Sequence, residues 1–122
     1  DDVIIVFKAY TTRVGGGPLP NEISWEDAER RGWAEIAAVT GRRRRAAPFN
    51  FELAKRAVML NSATQAAVTK IDAVFPECKG LKSYSELPKE ARDFIEKIDR
   101  EIGIPITLIG TGPEALEVVD RR

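Results

Sequence analysis

Four consecutive arginines, Arg42 to Arg45, follow Val39-Thr40-Gly41. A bare run of this kind is commonly a surface patch for nucleic acid or targeting. Here the flank supplies a hydroxyl, a flexible hinge and backbone N–H groups, and successive arginines of an extended loop diverge to different sides. Such a loop can clamp several anionic groups at once, because the planar guanidinium fork makes bidentate bonds to carboxylates and phosphates. A dicarboxylic amino acid or a nucleotide would satisfy it. A second cluster, Thr69-Lys70-Ile71-Asp72, ends an apolar run. Lys-x-Asp resembles the guanine-reading element of GTP-binding proteins, where a carboxylate accepts from the N1–H and the 2-amino group of the base; adenine lacks that donor pair. The same triplet is also an ordinary exposed strand end. A third cluster, Thr111-Gly112-Pro113, has the form of a common Gly-Pro turn.

Composition limits the chemistry further. The chain has 122 residues, enough for one modest globular unit with a small core. Nineteen Lys and Arg balance nineteen Asp and Glu, so no global field draws the chain to nucleic acid or an anionic membrane, and any basic site must be local. The absence of histidine excludes histidine-dependent chemistry and a typical zinc site within this sequence, and the single cysteine, Cys78, cannot form an internal disulfide. No apolar run approaches the roughly 20 residues of a membrane span, and no signal peptide is recognisable. The expected location is the cytoplasm. The chain opens Asp1-Asp2 directly into a strand pattern, which reads as a segment of something longer.

The elements that must position these clusters follow from periodicity. Val3 to Phe7 is a continuous apolar, β-branched run that predicts a strand buried on both faces. Thr11 to Asn21, with three glycines and two prolines, predicts a shaped loop. Ser24 caps a predicted short helix from Trp25 to Arg31 that ends at Gly32, and Trp33 to Val39 reads as a short strand. Asn50 caps a helix from Phe51 to Asn61, and Ala66 to Asp72 reads as a second buried strand carrying Lys70 and Asp72 at its carboxyl end. Ala91, Phe94, Ile95, Ile98 and Ile102 lie at helical spacing between Pro88 and Gly103. Pro105 to Ile109 predicts a third strand, and Ala115, Leu116, Val118 and Val119 predict a last helix. The fold class is α/β, with strands that complete a larger sheet flanked by helices.

Taken in order, Thr12-Arg13-Val14-Gly15-Gly16-Gly17-Pro18-Leu19-Pro20-Asn21-Glu22, Val39-Thr40-Gly41-Arg42-Arg43-Arg44-Arg45, Thr69-Lys70-Ile71-Asp72 and Thr111-Gly112-Pro113 are similar to the C-terminal part of adenylosuccinate synthetases. The match spans nearly the whole chain, and its Val-Gly-x-Gly-Pro and Thr-Gly-Arg-Arg-Arg-Arg segments are specific to that family. Only 14 residues separate Asp72 from Leu87, where long forms carry an insert, so the chain resembles the short archaeal form.

The resemblance implies a P-loop-related sheet domain of a ligase that condenses IMP with L-aspartate at the expense of GTP. Residues Ala38, Val39, Thr40, Gly41, Arg42, Arg43 and Arg44 match the aspartate loop. Within it Thr40 and Arg42 would hold carboxylates, Arg42 would also touch the IMP ribose, and Arg44 would reach aspartate and GTP. Val14 matches a backbone contact to IMP. Lys70, Ile71 and Asp72 match guanine recognition, and Gly110, Thr111 and Gly112 match the segment closing over the base.

Magnesium, the phosphate loop and the catalytic aspartate and histidine belong to the family's N-terminal part, so these residues alone are expected to be inactive. The full-length form is expected to be a homodimer with no nucleic-acid or membrane partner. Gly110 in place of serine, Asn21 in place of threonine, and Ala46-Ala47-Pro48 after the arginines depart from the family's pattern. The rival reading is an RNA-binding or interaction module that uses Arg42 to Arg45.

Overall fold

The computed structural model describes residues 2–122. The single unit expected from chain length is instead two compact ones: Tyr10–Asn50, and the residues to either side of it, up to Ala9 and Phe51–Arg122.

The larger unit is a mixed sheet with helices. Its strands are β1 (Ile4–Lys8), β4 (Gln65–Thr69), β5 (Ile106–Gly110) and β6 (Val118–Asp120), hydrogen-bonded in that order. The first three are parallel and β6 runs antiparallel to β5. Ala66, Ala67 and Val68 of β4 are buried, as expected for a strand paired on both edges. The first strand departs from expectation: among the described residues β1 lies at an edge, and Val6 is 62% exposed.

Two helices cover the sheet's apolar residues. The α2 helix (Phe51–Asn61) keeps the predicted bounds and buries Ala54 and Val58. The α4 helix (Lys89–Ile102) buries Ala91, Ile95, Ile98 and Ile102, a single stripe at helical spacing, and ends at Gly103 with φ 74°. The two helices meet through aromatic edges: Phe51 stands edge-on to Phe94 with centroids 6.4 Å apart, and Lys97 lies 4.5 Å over the Phe51 ring. Asp99 then ties α4 to the sheet by accepting the Ile106 N–H at 2.8 Å.

Two predictions about this unit are corrected. The strand ending in Lys-Ile-Asp stops at Thr69; Lys70 turns left-handed (φ 60°, ψ 33°), and Ile71–Val74 form the single turn α3. The buried Ile71 side chain favours that turn over continued extension. The last helix is instead strand β6. Its apolar spacing fits a helix, but so short a segment gains little by nucleating one, whereas β-branched Val118 and Val119 fit the open edge of β5.

The smaller unit pairs β2 (Tyr10–Arg13) antiparallel with β3 (Arg45–Pro48), and Ile23 adds a bridge to Ala46. Both strands fall where a loop or no strand was expected. Ala46 and Ala47 are both small enough to be buried, one on each face of β3 and with α1 (Trp25–Arg31) packed nearby, so packing outweighs their weak strand propensity. The α1 helix has its predicted caps: Ser24 Oγ accepts from the Asp27 N–H at 3.1 Å, and Gly32 takes φ 78°. The strand expected over Trp33 to Val39 is reduced to one bridge, Ile36 to Arg43.

Cys78 is fully buried beside α3, and that burial, with smaller contributions from the charges of Glu77 and Asp72, pushes its thiol up to about 11. A thiol with so little thiolate near neutrality reacts slowly. Iodoacetamide at pH 8 should leave Cys78 unmodified in native protein and alkylate it fully in denaturant, as read by peptide mass mapping. Comparable labelling in both conditions would contradict the burial.

Candidate functional site

The arginine run is one arm of a tight hairpin in the smaller unit. Ala37 N–H donates to Arg42 O, Gly41 N–H to Ala37 O, and Arg44 N–H to Glu35 O, each at 2.8 Å. Residues 35 and 44, 36 and 43, and 37 and 42 are therefore paired about a turn at Ala38 to Gly41. Gly41 has φ 68°, a conformation that strongly favours glycine. Thr40 Oγ1 accepts from the Arg42 N–H at 3.3 Å, which closes the turn. Ala38, Val39 and Thr40 are exposed at the tip, with Val39 98% accessible.

The four guanidinium groups have different environments. Arg45 is committed to structure: its Nε and Nη2 donate to the two Glu22 carboxylate oxygens at 3.0 and 2.7 Å, and Nη1 donates to Gly15 O at 2.9 Å. Its hydrogen bond is the main reason the Glu22 carboxyl is held below its ordinary range. Arg45 thereby anchors the glycine loop that carries the exposed Val14. Arg43 lies 4.7 Å over the Trp25 ring. Arg44 faces Glu35, with Nη1 3.5 Å from Oε1. Arg42 is exposed, and among the described residues its guanidinium has no recorded partner. Alternation along the arm thus sends Arg43 and Arg45 to Trp25 and Glu22, and leaves Arg42 and Arg44 as the groups best able to meet an anion.

The glycine loop is shaped by its own contacts. Gly15 and Gly17 have φ of 92° and 97°, and a Cβ on Gly17 would lie 2.8 Å from Arg13 Nη2. Arg13 Nη1 donates to Pro18 O at 3.1 Å, so Arg13 lies folded across the loop it precedes.

In the larger unit the second and third clusters come together. Parallel pairing sets the carboxyl ends of β4 and β5 side by side, and a Cβ on Gly110 would lie 3.4 Å from Thr69 Cα and 3.8 Å from Lys70 N. Serine at position 110 would therefore fit in ordinary contact. Left-handed Lys70 is an uncommon conformation for a residue with a Cβ, with a cost of about 1–2 kcal/mol. It turns the chain so that half-buried Asp72 falls on the first turn beyond the strand end. Carboxyl ends of parallel strands are where α/β sheets bind ligands.

Thr111 is fully buried. Its hydroxyl donates to Leu81 O at 2.7 Å, its N–H donates to Glu117 O at 2.9 Å, and its carbonyl accepts from Gly80 N–H at 3.0 Å. It anchors the segment and leaves half-exposed Gly110 and Gly112 to present backbone. Glu117 Oε1 accepts from the Glu114 N–H at 3.1 Å, and a Cβ on Gly112 would fall 2.5 Å from that carboxylate, so a side chain there would displace the Glu117 head group.

Glu35, Glu22, Trp25, Tyr10 and Glu117 were not singled out from sequence. The one available signal for Glu35 was symmetry: it stands as far before the turn as Arg44 stands after it. Among the described residues no three His, Cys, Asp or Glu side chains converge where they could hold a metal ion. No helix among the described residues is long and apolar enough to cross a membrane.

The adenylosuccinate synthetase family model matches residues 1–77 and 75–119. Adenylosuccinate synthetases from Methanosphaera stadtmanae, Methanocaldococcus jannaschii and Thermococcus onnurineus are 51%, 50% and 50% identical over all 122 residues. The chain spans only 36%, 35% and 36% of the lengths of those relatives. Among solved structures, fully ligated adenylosuccinate synthetase from Plasmodium falciparum shares the fold with a TM-score of 0.85 at 20% identity, over 100% of this chain and 40% of that one. A cyanophage S-2L succinoaminodeoxyadenylate synthetase shares it more loosely, with a TM-score of 0.58 at 19% identity over 93% of this chain and 31% of its own. With matching motifs, matching fold and half of its residues identical to those relatives, the chain belongs to the adenylosuccinate synthetase family.

Proposed function

We propose that this chain is the amino-acid-holding and guanine-reading part of an enzyme that joins L-aspartate to IMP using GTP. The observation that carries the reading is the division of labour among the four arginines. Arg43 and Arg45 stiffen the hairpin, while exposed Arg42, whose guanidinium has no partner among the described residues, and loosely paired Arg44 remain to receive a dicarboxylate. The same division argues against the RNA-binding rival, since a continuous phosphate clamp would draw on all four groups.

In the first chemical step the GTP γ-phosphoryl group passes to the 6-oxygen of IMP, and in the second the aspartate amine displaces phosphate from that carbon. The nucleophile is dianionic and so is the leaving group, so aspartate must be held against like-charge repulsion. Thr40 and the Arg42 and Arg44 forks do this by binding its carboxylates, which orients the amine and offsets the charge without transferring a proton. Val14 meets IMP through its backbone, and Arg42 also touches the ribose.

Asp72 accepts from N1–H and the 2-amino group of guanine. Lys70, turned left-handed at the strand end, and Ile71 complete that element, and the backbone of Gly110 to Gly112 closes over the base. Magnesium, when bound, neutralises the phosphates; its ligands lie mainly in the remaining part of the enzyme. That part also supplies the phosphate loop and the acid–base pair, and the complete enzyme is a cytoplasmic homodimer.

Three outcomes test this reading. The 122 residues alone, mixed with IMP, GTP, aspartate and magnesium, should form no adenylosuccinate; steady turnover by the pure chain would refute the assignment of the acid–base pair elsewhere. In full-length enzyme Arg44→Ala should raise the KM for aspartate by roughly ten- to a hundredfold and that for IMP little, whereas Arg42→Ala should raise both. Unchanged aspartate saturation in either variant would remove that arginine from its role. Asp72→Asn presents a donor where guanine also donates, and should lower kcat/KM for GTP by roughly ten- to a hundredfold. Xanthosine triphosphate, which carries an acceptor in place of the 2-amino group, should improve relative to GTP. If the ratio of the two efficiencies does not move, Asp72 does not read the base.

A further inference from the structure

Arg44 stands at the end of a chain of contacts that begins in the smaller unit's core. Tyr10 and Trp33 are 2% and 5% exposed, and their rings stack with centroids 5.1 Å apart at an interplanar angle of 4°. Tyr10 is also fixed along its backbone, opposite Pro48 in the β2–β3 register. The Tyr10 phenol donates a hydrogen bond to Glu35 Oε2. The other carboxylate oxygen, Glu35 Oε1, faces Arg44 Nη1 at 3.5 Å, and the Arg44 N–H donates to Glu35 O at 2.8 Å. Glu35 therefore meets Arg44 twice, once through the hairpin backbone and once through charge.

The unequal sharing of the carboxylate is informative. At 3.5 Å the ion pair is longer than the roughly 2.7–2.9 Å of a charge-assisted hydrogen bond, so Glu35 directs the guanidinium without consuming its donors. The phenol hydrogen bond draws negative charge toward Oε2 and away from the side that faces Arg44, so an arriving carboxylate meets less repulsion. The Glu35 side chain is 18% exposed against 36% for Arg44, which leaves the guanidinium as the more accessible end.

We propose that Tyr10 and Glu35 are positioning residues that hold Arg44 ready for the amino-acid dicarboxylate, with the buried Tyr10–Trp33 stack as their fixed base. The inference rests on the aspartate role proposed for Arg44. Neither residue touches substrate. Without them the arginine samples other rotamers and must be ordered by the ligand, which weakens binding of aspartate and leaves IMP and the chemical step alone.

The test is a mutant cycle in full-length enzyme. It uses Tyr10→Phe, which keeps the stack on Trp33; Glu35→Gln, which keeps an acceptor for the phenol and removes the charge; Arg44→Ala; and the Tyr10→Phe/Arg44→Ala pair. Tyr10→Phe and Glu35→Gln should each raise the aspartate KM by roughly three- to tenfold, with IMP KM, kcat and melting temperature close to those of the parent. In the Arg44→Ala background Tyr10→Phe should have almost no further effect, because the group it positions is gone. The proposal is overturned if Arg44→Ala weakens aspartate strongly while both single variants leave it unchanged. It is also overturned if Tyr10→Phe acts by the same factor with and without Arg44, or if the variants raise IMP and aspartate KM together. If Arg44→Ala itself leaves aspartate saturation unaltered, the aspartate reading of Arg44 fails first and this inference fails with it.

Discussion

The parallel ladder between β4 and β5 is the constraint on which the larger unit's candidate site depends. Parallel strands need a crossover, here the segment that runs through α3 and α4, and in return they set both carboxyl ends on one side of the sheet. Thr69 and Gly110, some 40 positions apart in sequence, become backbone neighbours in this way. Everything placed there follows from where the ladder stops. Lys70 breaks it with a left-handed residue, Ile71 buries itself to start a turn, and Thr111 buries itself to end the neighbouring strand. Two fully buried side chains thus fix two short segments whose intervening groups, Asp72 and the backbone of Gly110 and Gly112, remain at least partly accessible.

The smaller unit solves a different problem, that of four adjacent like charges. Each guanidinium needs separate compensation, and a hairpin provides it by sending alternate side chains in opposite directions. One charge is matched bidentately by Glu22, one lies on the Trp25 ring, and one faces Glu35. The last, Arg42, faces solvent. A small unit with few buried side chains is therefore organised as much by these polar contacts as by its core. Ion pairs this exposed contribute little stability individually. Their value here is directional, because they fix where the loop's remaining donors point.

Much of this was legible in the sequence where local physics is strong. The α1 and α2 helices and the stripe of α4 were read to within a residue or two, since caps and a 3.6-residue repeat act within one element. The motifs that identify the family were equally local, because the arginine run, the Lys-x-Asp triplet and the glycine loop are each contiguous. What tertiary structure alone decided was everything set by an edge or a register. Val118 and Val119 became a strand because β5 offered an open edge, and Arg45 to Pro48 became one because β2 pairs with it and its two small alanines are buried. Ile4 and Val6 were expected to be buried and lie exposed, because burial of a strand depends on neighbours that its own residues do not specify. The same reason hid Glu35 and Tyr10. Neither carries a local signal, and their relation to Arg44 exists only once the hairpin register and the Tyr10–Trp33 stack bring three distant positions within reach of one another.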